Sequence, residues 1–304
     1  MEVLYALEKI RSPIINEIML LITRFGEETA FLITALILYW CVDKRKGYYI
    51  MAIGFVGTIA SQFMKLWYRI PRPWVLDKNF TILEQAREAA SGYSFPSGHS
   101  QSAVGTFGGI AVSTKNRWVR IAAILIAVLV PFSRMYIGVH TPQDVLVGAG
   151  ISLVLIFVLY PVVFGSGRQN MPALMGVMIA LGLGYLWFVE RYPFPADVDV
   201  HNLASGRENA YTLLGALLGL VIVYIIDTRW LQFPTKALWW AQISKVLIGL
   251  GLVLAVKAGL KAPLNVLLGE SIGRMARYFL IVLVAGGLWP ISFRYFAKLG
   301  VKES

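Results

Sequence analysis

The amino-acid sequence predicts an all-α protein, a polytopic bundle of transmembrane helices that forms one integral membrane unit. Of its 304 residues, 57% are hydrophobic and only 15% are charged, whereas about 25% of the residues in an average soluble domain are charged. Runs without a formal charge recur at lengths close to the roughly 20 residues that a spanning helix needs. No stretch has the polar composition of a soluble domain, so the sequence favours a membrane bundle.

Nine apolar runs are predicted to cross the membrane. In chain order they are Thr29–Val42, Gly47–Met64, Ala89–Thr114, Ile121–Ser133, Val145–Gly167, Met171–Val189, Tyr211–Ile226, Trp239–Gly259 and Tyr278–Phe293. The run that begins at Ala89 starts with a loop. A further apolar run, Ile14–Phe25, contains Asn16 and Glu17. We interpret this run as a helix at the membrane interface; the bundle has ten spans if it crosses instead.

The basic residues lie mainly between the apolar runs. The net charge of +11 therefore indicates contact with anionic membrane lipids rather than with nucleic acid. The short basic loops Lys44–Lys46 and Lys115–Arg117 are predicted to face the cytoplasm, so the loops around residues 72, 97 and 140 fall on the opposite, non-cytoplasmic face. The single cysteine, Cys41, excludes an internal disulfide.

Lys65 ends one apolar run, and Arg72-Pro73 follows it in the next loop. A guanidinium binds two phosphate oxygens at once, and an ammonium binds phosphate as a point charge. The pair therefore has the residue types of a phosphate site. For Lys65 alone, a basic flank that anchors a helix at the lipid headgroups is the simpler interpretation. Arg69 is given that structural role.

Ser97-Gly98-His99 precedes another long apolar run. Gly98 lets the backbone approach a ligand closely, and Ser97 adds a hydroxyl donor. His99 is placed where it can act as a general acid. An N-cap serine beside an exposed interfacial histidine explains the same segment equally well.

Arg134 closes the next apolar run, and His140 and Asp144 open the one after it. Thr141 is predicted to be the N-cap of that helix, with Pro142 at its first position. A carboxylate in the first turn, as at Asp144, is favourable without any catalytic role. The four-residue spacing also brings Asp144 alongside His140, where it can orient the imidazole and leave the other ring nitrogen as a nucleophile.

The three segments fit the patterns Lys-x6-Arg-Pro, Pro-Ser-Gly-His and Ser-Arg-x5-His-x3-Asp, in this order and without substitution. Through these motifs the chain resembles the type 2 phosphatidic acid phosphatase family over roughly residues 10–165. The stretch from Ser133 to Leu146 also resembles the sphingosine-1-phosphate phosphatase branch of that family.

The resemblance implies an enzyme that hydrolyses a lipid phosphate through a phosphohistidine. By position, His140 matches the nucleophile, Asp144 its partner, and His99 the acid that protonates the leaving oxygen. The phosphate-binding residues that it implies are Lys65, Arg72, Ser97, Gly98 and Arg134. It implies no metal and no cofactor. The expected partners are a lipid phosphate substrate and membrane lipids, and the expected location is a bacterial cell membrane.

The resemblance further implies a six-helix phosphatase core in residues 1–164, while residues 165–304 add helices whose role stays open. A protein that binds or moves phospholipids, with the motifs as a headgroup site, is the alternative function. The two histidines favour the enzyme, since binding alone needs neither an acid nor a nucleophile. Vanadate-dependent haloperoxidases have similar phosphate-binding residues but are soluble. Phosphatidate, phosphatidylglycerophosphate, undecaprenyl diphosphate and sphingoid phosphates all stay open as substrates.

Three further segments allow two interpretations each. Thr81–Ala90 is rich in helix formers, and it is either a short helix over the site or a plain loop. Glu190–Asn209 holds two aspartates and a histidine, for which a solvated loop is favoured over a metal site. Gly215 and Gly219 form a GxxxG pair, for which close helix packing is favoured over a homodimer face.

Overall fold

The computed structural model describes residues 1–87, 90, 92–165 and 170–299, and its regular elements there are helices. The helices before residue 170 are α1 (Glu2–Lys9), α2 (Pro13–Thr23), α3 (Glu28–Ile37), α4 (Lys44–Tyr68), α5 (Pro73–Leu76), α6 (Gly98–Ala103), α7 (Gly109–Ser113), α8 (Arg117–Tyr136) and α9 (Pro142–Phe164). The later helices are α10 (Asn170–Arg191), α11 (Val200–Ile226), α12 (Trp239–Gly259), α13 (Lys261–Leu268), α14 (Glu270–Leu283) and α15 (Phe293–Lys298). The predicted all-α class is confirmed.

Tighter and wider helical turns connect or extend several of these helices. Wider π-turns lie at Leu38–Val42, Val104–Gly108, Asp227–Leu231 and Val284–Leu288. Tighter 3₁₀ turns lie at Arg24–Gly26, Glu84–Ala86 and Trp289–Ser292. The π-turn at Val104–Gly108 joins α6 to α7 without a break, so these two helices form one rod.

By their internal contacts, the residues divide into two compact units. The first consists of Met1–Thr34, Tyr49–Gly165 and Pro193–Gly206, and the second of Ala35–Tyr48, Ser166–Tyr192 and Arg207–Ser304. All three sequence motifs belong to the first unit.

Seven helical segments of the described chain are long and apolar enough to span a membrane. They are Lys44–Leu76, Arg117–Tyr136, Pro142–Phe164, Asn170–Arg191, Val200–Leu231, Trp239–Leu268 and Glu270–Lys298. The segments Pro13–Gly26 and Glu28–Val42 bend by 56° at the break between them, and they add an eighth span if they cross as one. The prediction of nine spans, or ten, is therefore too high.

Two predicted runs account for the difference: Thr29–Val42, which lies in the bent pair, and Ala89–Thr114. The helical part of Ala89–Thr114 extends only from Gly98 to Ser113, which is roughly 24 Å at 1.5 Å per residue, short of the ~30 Å hydrocarbon core. The rod packs against α8 and α9, and most of its residues are buried. Its apolar side chains thus face protein. Ala89 and Gly167, the outer ends of two predicted runs, lie outside the described residues.

Exposed apolar faces on α8 and α9 support contact with lipid. Leu125 and Val128 on α8, and Val154 and Phe157 on α9, are all exposed. Large contiguous apolar surfaces are rare on soluble monomers. Helices that satisfy their own backbone hydrogen bonds are one of the two structures that can present such a surface to a bilayer.

Two local signals place the ends of the helices that carry the motifs. The Thr141 hydroxyl accepts a hydrogen bond from the Asp144 N–H, and Pro142 occupies the first helical position, as predicted for α9. Helix α4 ends at Tyr68, and the next residue, Arg69, has a left-handed backbone conformation with φ of 52°. Its N–H donates to the Lys65 carbonyl, and its guanidinium donates to the Leu66 carbonyl. Arg69 therefore terminates the helix, and its interpretation as a basic flank at the lipid headgroups stays a prediction.

In the second unit, Gly215 and Gly219 lie against α14. A Cβ on Gly215 would meet the Met275 carbonyl oxygen at 2.1 Å, and a Cβ on Gly219 would meet the Phe279 carbonyl oxygen at 2.9 Å. Both glycines thus allow close approach of two helices within the chain, which is the favoured interpretation of the pair. The homodimer stays an untested prediction.

Lys245 of α12 is fully buried in the second unit. Its Nζ donates to the Trp40 and Thr235 carbonyls at 3.0 and 3.1 Å, and it lies 4.4 Å from the centre of the Phe293 ring. Backbone carbonyls and an aromatic face hold the ammonium group inside the protein.

The two loops with alternative interpretations are only partly helical. Within Thr81–Ala90, the described residues form a single 3₁₀ turn, Glu84–Ala86, while Glu88 and Ala89 lie outside the described residues. At the other loop, α11 begins at Val200, and the Asp199 carboxylate accepts a hydrogen bond from the Asn202 N–H at 2.8 Å. Asp199 thus caps a helix. The part of the chain that the structure describes contains no group of three metal-binding side chains.

Candidate active site

His140 and Asp144 lie at the start of α9, and both are almost fully buried. Asp144 Oδ2 lies 3.4 Å from His140 Nδ1, which is longer than an ordinary hydrogen bond. The same oxygen accepts hydrogen bonds from the Thr141 N–H at 2.8 Å and from the Ser94 hydroxyl at 2.6 Å. One carboxylate therefore caps the helix and faces the imidazole, so the two interpretations of Asp144 are compatible.

Arg72 contacts the other side of the same imidazole. Its Nη1 lies 2.9 Å from His140 Nε2 and 2.9 Å from the Val139 carbonyl oxygen, and its Nε donates to the Gly92 carbonyl at 3.0 Å. A guanidinium only donates hydrogen bonds. His140 Nε2 therefore accepts, and the ring proton belongs on Nδ1, which faces Asp144.

Lys65 and Arg134 complete the set of cations. The half-buried Lys65 donates from Nζ to the Tyr93 carbonyl at 2.5 Å. Arg134, only 1% exposed, donates from Nη1 to the Thr23 hydroxyl at 2.8 Å, and its buried Nε makes no hydrogen bond within the described residues. Together with Arg72, these residues place three positive charges near the carboxylate of Asp144, and Glu27 is a second carboxylate close enough to interact with Arg134. This imbalance favours binding of an anion.

Ser97 and Gly98 lie at the start of α6. The Ser97 hydroxyl oxygen accepts hydrogen bonds from the N–H and the hydroxyl of Ser100, so Ser97 is the N-cap and its own proton stays available for a ligand. The Ser97 N–H donates to the Asp144 carbonyl at 2.9 Å, which ties the second motif to the third. Apart from its chain neighbours and the backbone of its own helix, no described atom lies within 4 Å of the position that a Cβ on Gly98 would take.

His99, which follows Gly98, is half-buried. Burial lowers its pKa well below the usual histidine range, and the positive charges of Arg134, Arg72 and Lys65 lower it further. The imidazole of His99 is therefore neutral at neutral pH when the site holds no anion. A bound phosphate dianion opposes those cations and raises this pKa, since an opposite charge nearby favours the charged form.

The pKa of His140 is lowered for the same reasons. Burial has the largest effect, followed by the charges of Arg72, Arg134 and Lys65. Below the lowered pKa the ring is protonated, and above it the ring is neutral, so His140 is neutral at neutral pH. A neutral imidazole with its proton on Nδ1 presents a lone pair on Nε2, which is the form required of a nucleophile.

All eight site residues predicted from the sequence lie in the first unit. Hydrogen bonds join the first and the second motif to the third, and the charges of the three cations act on His99. Sequence reasoning missed Ser94, whose hydroxyl binds Asp144, and Thr23, whose hydroxyl binds Arg134. It also missed the carbonyls of Gly92 and Tyr93, which hold Arg72 and Lys65. Only the position of Ser94, just before the second motif, gave a hint.

Comparison with protein families gives two matches along the chain. Residues 45–168 match the PAP2 superfamily, and residues 211–303 match the transmembrane extension of PAP2 superfamily phosphatases. The first match contains all eight predicted site residues. The second covers most of the part that the sequence analysis separated from the core.

Three curated proteins illustrate the similarity. Phosphatidylglycerophosphatase B of Bacillus subtilis is 32% identical over 162 residues, which are 49% of this chain and 75% of that protein. An undecaprenyl-diphosphatase of Sulfolobus acidocaldarius is 30% identical over 135 residues, 44% of this chain and 64% of that protein. Sphingosine-1-phosphate phosphatase 2 of Mus musculus is 27% identical over 260 residues, 76% of this chain and 69% of that protein.

Proposed function

Because this chain belongs to the PAP2 superfamily and is a membrane lipid phosphatase, we propose that it hydrolyses a lipid phosphomonoester or diphosphate through a phosphohistidine at His140, without a metal. One observation carries the proposal: Asp144 Oδ2 faces Nδ1 of His140, and Arg72 contacts Nε2. A buried, oriented imidazole beside a phosphate-binding guanidinium is an arrangement for nucleophilic attack on phosphorus. Catalysis is assigned to residues 1–164.

In the first step, the phosphate oxygens bind the cations. Arg72 then shifts its hydrogen bond from Nε2 of His140 to a phosphate oxygen, and Nε2 attacks phosphorus. The bond between phosphorus and the leaving oxygen breaks, and His99 gives its proton to that oxygen. Lys65, Arg72 and Arg134 stabilise the charge on the equatorial oxygens. Asp144 stabilises the positive charge that develops on the imidazole.

In the second step, water displaces the imidazole from phosphorus. His99, now neutral, accepts a proton from the attacking water, and the P–N bond to His140 breaks. Inorganic phosphate leaves, and both histidines return to their starting states. One residue acts first as acid and then as base, as microscopic reversibility requires. No metal takes part, since the protein cations already offset the charge of the transition state.

The cations and the Ser97 hydroxyl contact only the phosphate end of a substrate, so they accept a monoester or a terminal phosphate of a diphosphate. The names of the relatives given above include both kinds of lipid phosphate. The apolar faces of α8 and α9 allow the lipid tail to stay in the bilayer while its headgroup reaches the site. We place this site on the non-cytoplasmic face, by the positive-inside tendency of Lys44–Lys46.

Release of phosphate from a panel of lipid phosphates in detergent tests this function. The panel contains phosphatidate, phosphatidylglycerophosphate, undecaprenyl diphosphate and sphingosine-1-phosphate. We expect turnover of at least one lipid, unchanged by a chelator and inhibited by orthovanadate, which mimics five-coordinate phosphorus. Loss of activity with chelator and its return with magnesium would contradict the metal-free mechanism. Absence of turnover on the whole panel would contradict the enzyme.

Gly98→Ala tests whether the space beside α6 is where phosphate binds. The substitution meets no described atom, and alanine favours a helix over glycine by about 1 kcal/mol, so we expect the melting temperature to stay the same or rise. We expect the affinity for orthovanadate to fall by about tenfold, because the methyl group occupies the space of a phosphate oxygen.

Gly150→Ala is the matched control for this substitution. Gly150 lies on α9 of the same unit, and no described atom lies within 4 Å of the position of its Cβ. We expect its affinity for orthovanadate to equal that of the wild type. Equal affinities in the two variants would place the phosphate elsewhere.

A further inference from the structure

The segment from Arg11 to Gly26 contacts two of the three motifs, although it lies before the region matched to the family, which begins at residue 45. It consists of Arg11 and Ser12, helix α2 and the 3₁₀ turn that follows. Arg11 contacts the turn between Arg134 and His140, Thr23 contacts Arg134, and Gly26 contacts His99. Two of these contacts reach a residue with a proposed role, the phosphate ligand Arg134 and the acid His99. The third reaches the turn that precedes His140.

The most direct contact joins Thr23 to Arg134. Thr23 ends α2 and is only 7% exposed, and its hydroxyl accepts a hydrogen bond from Arg134 Nη1 at 2.8 Å. Nε and Nη2 lie on the other edge of the guanidinium, and this edge forms the parallel pair of hydrogen bonds to a phosphate. Nε is buried without a hydrogen bond to any described residue. The bond to Thr23 therefore leaves the phosphate-binding edge free.

The 3₁₀ turn Arg24–Gly26 lies directly against His99. A Cβ on Gly26 would come within 2.9 Å of the His99 carbonyl oxygen and 3.0 Å of the His99 Cβ. It would also come within 2.8 Å of Val130 Cγ1 on α8. Only a residue without a side chain fits at this point, so Gly26 lets the turn after Thr23 pack directly against the backbone of His99.

Arg11 supports the turn that separates Arg134 from His140. Its Nε donates to the Tyr136 carbonyl at 3.0 Å, and a Cβ on Gly138 would lie 2.8 Å from its Nη2. Gly138 has a φ of 88°, which favours glycine. The guanidinium thus packs on the turn that sets the distance between a phosphate ligand and the nucleophile.

We propose that Thr23 is a positioning residue for Arg134, and that the segment Arg11–Gly26 thereby forms part of the phosphatase site. The hydroxyl of Thr23 fixes the rotation of the guanidinium, so that its Nε and Nη2 face the phosphate. A long arginine side chain otherwise loses rotamer freedom when it binds a ligand. This proposal rests on the proposed function, because it assigns Arg134 to phosphate.

The test compares anion binding by three variants of the full chain in detergent. Thr23→Val removes the hydroxyl at nearly constant shape, and Thr23→Ser keeps it. Thr106→Val is the matched control, because Thr106 is a buried threonine of the same unit whose hydroxyl makes no hydrogen bond to the described residues. The probe is orthovanadate, with its affinity measured by calorimetry, and the melting temperature is measured for each variant.

We expect Thr23→Val to weaken orthovanadate binding by about tenfold, the effect of losing one hydrogen bond to a charged group. Thr23→Ser and Thr106→Val should stay within about twofold of wild type. Combining Thr23→Val with Arg134→Gln should weaken binding no further than Arg134→Gln alone, since Thr23 acts through that guanidinium. A merely structural role would shift the melting temperature and give additive losses.

Equal affinities of Thr23→Val and Thr106→Val, or additive losses in the double variant, would overturn the proposal. If Thr23→Val does not fold, Thr23→Ala removes the same hydroxyl without placing a methyl group against the guanidinium, and the same criteria apply. Direct binding of orthovanadate does not depend on turnover. Unchanged orthovanadate binding in the Thr23 variants would contradict the role of Thr23 alone, whereas absence of turnover on the lipid panel would contradict the proposed function.

Discussion

His140→Ala is expected to abolish phosphate release from every substrate, with a loss on the order of 10⁵-fold or more, as when the nucleophile of a covalent mechanism is removed. The physical reason is that alanine has no lone pair to attack phosphorus. The cations stay in place, so we expect the variant to bind inorganic phosphate and to melt close to the wild-type temperature. Turnover, binding of inorganic phosphate and the melting temperature are measured on the same preparation.

His201→Ala is the matched control for this prediction. His201 is exposed near the start of α11 and has no assigned role in the site, so its loss should leave turnover unchanged. Asp144→Asn should reduce turnover by less than His140→Ala, since the nucleophile is kept while charge and orientation are lost. Appreciable turnover by a folded His140→Ala protein would remove His140 from the nucleophile role.

His99→Ala is expected to separate lipid substrates from an activated ester. A lipid alkoxide is a poor leaving group and needs a proton, whereas a nitrophenolate leaves with little help. We expect a loss of about 10²–10⁴-fold on a lipid phosphate, the usual contribution of general acid–base catalysis, and a much smaller loss on a nitrophenyl phosphate ester. The measurement is the saturating rate of variant and wild type on each substrate.

His140→Ala is the control variant here, because both esters need the nucleophile and should lose turnover alike. Comparison of saturating rates removes the effect of weak binding of the small ester. Equal fractional losses on both esters in His99→Ala would mean that His99 binds phosphate rather than transferring a proton. The acid assignment would then pass to another group.

The sequence could indicate the residues of the candidate site because they occur in patterns with a local physical cause. Thr141 and Pro142 start a helix, and this start places Asp144 in the first turn, close to His140. Ser94 and Thr23 could not be predicted in the same way. Each contacts its partner across 50 or more positions in the chain, and a lone hydroxyl in sequence carries no sign of such a contact.

The fold class was predictable from composition, but the number of spans was not. An apolar run has the same composition whether its helix faces lipid or other helices. The rod from Gly98 to Ser113 is apolar because it packs against α8 and α9. Helix length and burial, which only the structure gives, separate the two cases. The bend of 56° before Glu28 is likewise invisible to a count of apolar residues.

The loop Gly92–Ser94 belongs to none of the three motifs, yet it forms hydrogen bonds with three residues that belong to two of them. Gly92 and Tyr93 hold Arg72 and Lys65 through their carbonyls, and the Ser94 hydroxyl holds Asp144. Two of these three contacts come from the main chain, so they do not depend on side-chain identity and would survive most point substitutions there. An insertion or a proteolytic cut in the same loop would release all three partners together. Exposed surface loops usually tolerate such changes, and this short loop should be among the least tolerant segments of the chain.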